Sequence, residues 1–167
     1  MIRVITETEV EAFRALRLRA LMEEPEAFGA SAEEFATTSL PDVAKRLQPT
    51  DNAFVLGAFL PDLGGMVGLV REHGQKRAHK AFIWGMYVAP EARGQGIGRS
   101  LMTAALARAA QLPGLEQIHL DVVSTNAAAT TLYRSLGFIS YGTEPHALKL
   151  GDHYVDTALM AQWIRNE

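Results

Sequence analysis

Residues 87–99 read YVAPEARGQGIGR. The apolar run 81–89 leads into this stretch and the alanine-rich run 100–110 leaves it. Three glycines, Gly94, Gly96 and Gly98, therefore stand where a strand-like segment turns into a helix-like one, although glycine is a poor helix former. A helix start exposes backbone N–H groups and the positive end of the helix dipole, and together these bind anions. Glycine removes the side chains that would hold an anion away. The stretch predicts a cradle for a phosphate or pyrophosphate, with Arg93 as a charged donor at its edge. The same glycines would also serve a plain turn from strand to helix.

Two phosphate motifs do not fit this spacing. A P-loop needs lysine and then serine or threonine after its last glycine; here Arg99-Ser100 follows and the glycines are too close. A dinucleotide fingerprint places G-x-G-x-x-G beside the first strand of its unit, whereas this G-x-G-x-G comes late and behind a hairpin-like pair of runs.

The rest of the chain reads as alternating short elements. A strand is expected over 2–6, and Thr8 with Glu11 reads as a capping box for a helix carrying Val10, Phe13, Leu16 and Ala20 inward, ending near Pro25. Ser31 with Glu34 caps a second, short helix, which Ser39-Leu40-Pro41 restarts. Strands follow at 53–60, 66–72 and 81–89, then a helix at 98–111, a strand at 117–124 and a helix at 126–136 that Gly137 closes. The segments 138–141 and 147–150 are strand-like, and Gly151-Asp152 turns into a last strand at 153–161.

Composition narrows the function. At 167 residues one domain, 1–167, is the simplest expectation. A net charge of −3 argues against nucleic acid, and Lys76, Arg77 and Lys80 read as a solvated loop. The absence of cysteine removes disulfides, thiolate metal sites and a cysteine nucleophile together. His73 and His79 lack partners at metal-ligand spacing, so no metal is expected. No apolar run is long enough for a membrane span or forms a signal core, which points to a cytoplasmic protein without a membrane partner.

Arg93-Gly94-Gln95-Gly96-Ile97-Gly98 matches Q/R-x-x-G-x-G/A, and Asn126, Ala129, Leu132, Tyr133, Gly137 and Phe138 match N-x-x-A-x-x-L-Y-x-x-x-G-F. With Val88-Ala89-Pro90 before the first motif and Leu101-Met102 after it, the whole chain resembles the GNAT superfamily of acyl-CoA-dependent N-acetyltransferases. The resemblance implies an α/β fold: a single-domain, largely antiparallel seven-stranded mixed sheet with splayed parallel central strands and flanking helices. It implies acetyl-CoA (coenzyme A) as cofactor, its pyrophosphate held by residues from Arg93 through Gly98 to Arg99 and Ser100, and its pantetheine along the free edge of Met86, Tyr87 and Val88. A backbone N–H of that edge would face the oxyanion, and Gly85 would let the strand bend.

The family position of the acid that protonates the departing thiolate falls on Tyr133, and Asn126 falls where pantetheine is held, a site that also suits a helix N-cap. The acceptor amine must lose a proton. No carboxylate lies on 81–89; His119, Asp121, Glu33, Glu34, Glu144 and His146 remain as bases, none of them singled out. Phe28, Glu33, Glu34, Trp84 and His146 are the expected acceptor-side residues. The reading is an acyltransferase working by direct attack of a small-molecule or amino-acid primary amine in a ternary complex. The alternatives are a protein or peptide N-acetyltransferase and a non-catalytic acyl-CoA sensor. The family also implies a homodimer.

Overall fold

In the computed structural model, which describes residues 1–164, all strands belong to one sheet. β1 (Ile2–Val4), β2 (Ala53–Phe59), β3 (Leu63–Arg71) and β4 (Lys80–Val88) are antiparallel neighbours. β5 (Gln117–Val123) joins β4 in parallel. β7 (His153–Trp163) lies antiparallel beside β5, and β6 (Ile139–Leu150) forms the far edge. The order β1-β2-β3-β4-β5-β7-β6 is the expected mixed, seven-stranded, largely antiparallel sheet.

Helices cover both faces because strand side chains alternate. α1 (Val10–Glu23), α2 (Ala32–Ala36) and α3 (Leu40–Leu47) lie on one face, where Phe13, Leu16, Ala20, Val43 and Leu47 pack on Val55 and Met66. α4 (Ile97–Ala109) and α5 (Ala127–Ser135) cover the other, where Leu101, Met102, Ala105 and Tyr133 pack on Leu56, Val67 and Leu69.

The local signals mostly hold. Ser31 Oγ accepts from Glu34 N–H at 3.0 Å, and Ser39 Oγ accepts from Asp42 N–H at 3.2 Å. The expected restart is a separate helix, α3, with Pro41 in its first turn. Gly137 follows α5 and its N–H donates to the Arg134 carbonyl at 3.0 Å. The first capping box is shifted. Thr6, not Thr8, is the extended residue at the end of β1, and its N–H donates to Glu9 Oε2 at 2.9 Å. Thr8 already sits inside a 3-10 turn, residues 7–9, so it cannot cap. The two strand pieces expected at 138–141 and 147–150 are one strand, β6, with register breaks between Ser140 and Gly142 and between Glu144 and Leu148. Pro145 has no N–H for the ladder, and Asp156 Oδ1 accepts the His146 N–H at 2.7 Å, bridging the irregular stretch.

Candidate active site

The site begins with one surplus residue. β3 and β4 pair Met66 with Tyr87 and Gly68 with Trp84, so Val67 faces both Gly85 and Met86. This bulge needs φ +64° at Gly85, a backbone region that side chains disfavour. It also shifts the alternation: Ile83 faces α4 and Trp84 faces α1, yet past the bulge Met86 faces α4 and Tyr87 faces α1. At the same level the sheet opens. β4 and β5 pair only at Lys80–Phe82 with Gln117–His119. The facing edges from Ile83 and Leu120 onward have no ladder partner. A cleft of about 740 Å³ fills the gap, the size range of small-molecule sites.

One end of the cleft is the glycine stretch. Gly96 is the N-cap of α4 with φ +74°, and Gly94 has φ +77°. A Cβ at either position would meet nothing within 4 Å, so both face open space. The first turn of α4 has no acidic side chain, leaving its free N–H groups and the dipole unopposed. This cradle fits a pyrophosphate. Gly94, Gly96, Ile97, Gly98 and Arg99 line the cleft, whereas Gln95 and Ser100 are exposed outside its lining. Arg99 Nη2 donates to Ser135 Oγ at 2.8 Å. Arg93 lines the cleft but is engaged: its Nε donates to the Val88 carbonyl at 2.9 Å and its Nη2 to Glu24.

The walls are apolar and suit a pantetheine arm. Met86 and Val88 contribute from β4 and Ala129 and Leu132 from α5. Tyr87 gives its backbone to the cleft, while its phenol donates to Glu23 Oε2 at 2.6 Å. Asn126 caps α5, its Oδ1 accepting from Ala129 N–H at 3.0 Å. The amide nitrogen of Asn126 has no protein partner among the described residues, and Asn126 lines the cleft. Tyr133 is buried against Phe138, lines the cleft, and burial pushes its phenol up to about 12.

Of the residues assigned to the acceptor side, Phe28 and Trp84 line the cleft. Glu33 and Glu34 do not; they are exposed on α2. His146 is also outside, exposed on β6 and stacked on Tyr154 at 4.4 Å between ring centroids. Among the possible bases, His119 turns to Gln117 and Tyr141, at 3.0 and 3.2 Å, while Asp121 lines the cleft. Burial, and secondarily Glu144, raises the Asp121 carboxyl above its usual range. Continuing the β4–β5 register sets Asp121 across the gap from Trp84. Sequence reasoning missed Glu24, and it missed Arg17 on α1, which packs behind Phe28, Trp84 and Gly85. An arginine within an apolar helical face was the available signal for the latter. Among the described residues no cluster of three or more metal-ligating side chains occurs, and no helix is long and apolar enough to cross a membrane.

A split parallel pair with a glycine-capped helix at its mouth defines a class of ligand-binding α/β protein. The sequence model described as the Acetyltransferase (GNAT) family matches residues 15–138, and the chain belongs to that family. Its members use acetyl-CoA. The chain is 37% identical over 136 residues to the mycothiol acetyltransferase of Thermobispora bispora, covering 77% of this chain and 42% of that protein. It is 28% identical over 95 residues to the spermidine N(1)-acetyltransferase of Vibrio cholerae, covering 57% of this chain and 55% of that one. The match thus spans about two fifths of the length of the Thermobispora bispora mycothiol acetyltransferase and of that from Salinispora arenicola. A GNAT-family acetyltransferase from Streptococcus pneumoniae shares the fold with a TM-score of 0.89 at 20% identity over 99% of both chains. The structure of yncA from Salmonella typhimurium with its cofactor acetyl-CoA superposes with a TM-score of 0.81 at 18% identity, covering 100% of this chain and 95% of that one.

Proposed function

We propose that this chain transfers an acetyl group from acetyl-CoA to a primary amine of a small molecule, by direct attack with both substrates bound. The observation that carries this reading is the single cleft joining the Gly96 cradle, the unpaired edge of β4 and the buried phenol of Tyr133.

Acetyl-CoA, when bound, supplies an activated acetyl thioester. The first-turn N–H groups of α4 bind its pyrophosphate, and Arg93 orients the loop by holding Val88 and Glu24. The free edge between Met86 and Val88 offers backbone N–H donors to pantetheine and to the acetyl oxygen. Arg93 Nε already takes one lone pair of the Val88 carbonyl on that edge. Tyr133 keeps its proton throughout the neutral range and donates it to the leaving thiolate, a thiol whose ordinary pKa is about 8.5. Asp121, a carboxylate that lines the cleft, takes the ammonium proton, directly or through water; its raised affinity for protons supports that role. With no cysteine in the chain, no side-chain thiol carries the acetyl group between substrates.

The test is calorimetric titration with acetyl-CoA, followed by free-thiol release with amino acids, polyamines, aminoglycosides and peptides as acceptors. Binding with release on one acceptor class is expected. Binding without release on any of them would leave an acyl-CoA sensor, and absence of binding would remove the cradle assignment altogether.

A further inference from the structure

Arg17 lies on the inner face of α1 with Phe13, Leu16 and Ala20, and is only 8% exposed. Its Nη1 is buried with no hydrogen-bond partner. Among the described residues no carboxylate pairs with this guanidinium. Neighbouring arginines are engaged: Arg14 with the Ala36 carbonyl, Arg19 with Glu23 and Glu91, Arg93 with Glu24. Burial lowers the Arg17 pKa to about 10, which still leaves a cation at neutral pH. A buried cation without a counter-ion is unfavourable until an anion completes it.

The groups nearest this guanidinium belong to the cleft. The guanidinium carbon lies 4.8 Å from the Phe28 ring centroid and 5.7 Å from that of Trp84. Nη1 lies 3.4 Å from where a Cβ on Gly85 would stand. All three neighbours line the cleft, and Arg17 stands directly behind them rather than on the wall itself. Gly85 precedes Val88 by three residues, about 10 Å of strand, so Arg17 stands well up the cleft from the pyrophosphate cradle. The aromatic faces stabilise the cation but accept no N–H hydrogen bond of ordinary strength. A carboxylate matches the planar fork of a guanidinium and satisfies charge and donors at once.

Across the gap, Asp121 is in no ion pair among the described residues, whereas Glu23 and Glu24 are already held by arginines. Arg17 thus stands behind the wall at this end of the cleft without a counter-ion, and Asp121 lines the cleft in no ion pair among the described residues. We propose that Arg17 receives a carboxylate on the acceptor, so that the acetylated amine is that of an amino carboxylate, an amino acid or close analogue, with its ammonium toward Asp121. This rests on the transfer reading above and narrows its acceptor.

The test compares each of a panel of amino acids with its own carboxamide, alongside spermidine, in the thiol-release assay with the intact protein and with Arg17→Met and Arg17→Lys. In the intact protein kcat/KM is expected to favour the acid over the amide by about 10- to 100-fold, as for a charge-assisted hydrogen bond, and through KM. Arg17→Met should collapse the ratio toward one, and Arg17→Lys should recover part of it. Equal use of acid and amide by the intact protein overturns the proposal, and so does spermidine as the best acceptor; both leave the transfer reading standing. An equal fall in kcat for acid and amide in Arg17→Met would move the guanidinium to the acetyl oxygen and overturn it too. A second readout is needed if no acceptor turns over. The CoA-loaded protein is titrated with N-acetyl amino acids and with their carboxamides. Binding of the acids alone, lost in Arg17→Met, supports the Arg17 site while the transfer reading fails; no preference for the acids overturns it. Melting curves show whether the variants fold, and should both unfold, the acid–amide comparison in the intact protein decides.

Discussion

A Cβ on Gly68 would come within 2.2 Å of the Trp84 indole, so the ring lies across β3 where a side chain is missing. Gly68→Ala should lift the indole, alter its near-ultraviolet circular dichroism and raise the acceptor KM several-fold. An unchanged tryptophan signal would show that the ring takes its orientation from elsewhere. At the other end of the cleft, Gly96→Val imposes the left-handed conformation on a β-branched residue and pushes methyls into the cradle. A stability loss of roughly 1–2 kcal/mol and a strong rise in the acetyl-CoA KM are expected, read by melting and by titration. Tyr133→Phe removes the donor without removing the ring from its packing against Phe138. Its kcat should fall about 100-fold with acetyl-CoA affinity retained, and full turnover in this variant would exclude the phenol as acid.

At the scale of elements, the junction of β1 and α1 carries a pH dependence. Arg3 pairs with Glu9 at 2.8 Å, and the Thr6 N–H adds a second hydrogen bond. Chiefly through Arg3, these hold the Glu9 carboxyl at about 2, below its ordinary value near 4.5. A depressed carboxylate stabilises the fold at pH values above its unfolded pKa, and that contribution disappears as pH falls through the folded one. Glu9→Gln should therefore melt below the parent protein at neutral pH, and the two melting temperatures should converge between about pH 4.5 and pH 2. This junction also marks a limit of reading from sequence. Thr8-x-x-Glu11 and Thr6-x-x-Glu9 both satisfy the capping pattern, and only the point where β1 releases the chain chooses between them. β2, β3 and β4 were legible as short apolar runs bounded by turn residues, as befits strands covered on both faces, β5 by its alternation, and α5 by Asn126 at its start and Gly137 after its end. The glycines alone suit a plain turn as well; the cradle was legible because Arg93 to Gly98 and Asn126 to Phe138 match two motifs of one family. The acceptor side was not: Glu33, Glu34 and His146 have suitable chemistry but lie outside the cleft, whereas Asp121 and Arg17 reach it only through strand register and helix packing.

Across the whole molecule, the sheet is joined at its middle by only three residue pairs between β4 and β5. A ligand seated in the gap bridges two halves that the backbone ladder scarcely connects. Saturating acetyl-CoA, at a hundredfold its Kd, should add about 2.7 kcal/mol to stability, seen as a rise in melting temperature. Hydrogen exchange should slow most at residues 83–88 and in the first turn of α4, and uniform protection along β1–β3 instead would place the ligand elsewhere.

The bulge at Gly85 has a meaning for how such a molecule changes over generations. Remove that one residue, and the alternation of β4 against β3 would run unbroken past the stretch where it parts from β5. The resulting sheet would be more regular, but Met86 and Tyr87 would exchange the faces they now present beside the opening. Working capacity and structural perfection are opposed here at a single position, and a lineage refined for robustness alone would be expected to heal the flaw on which its chemistry depends.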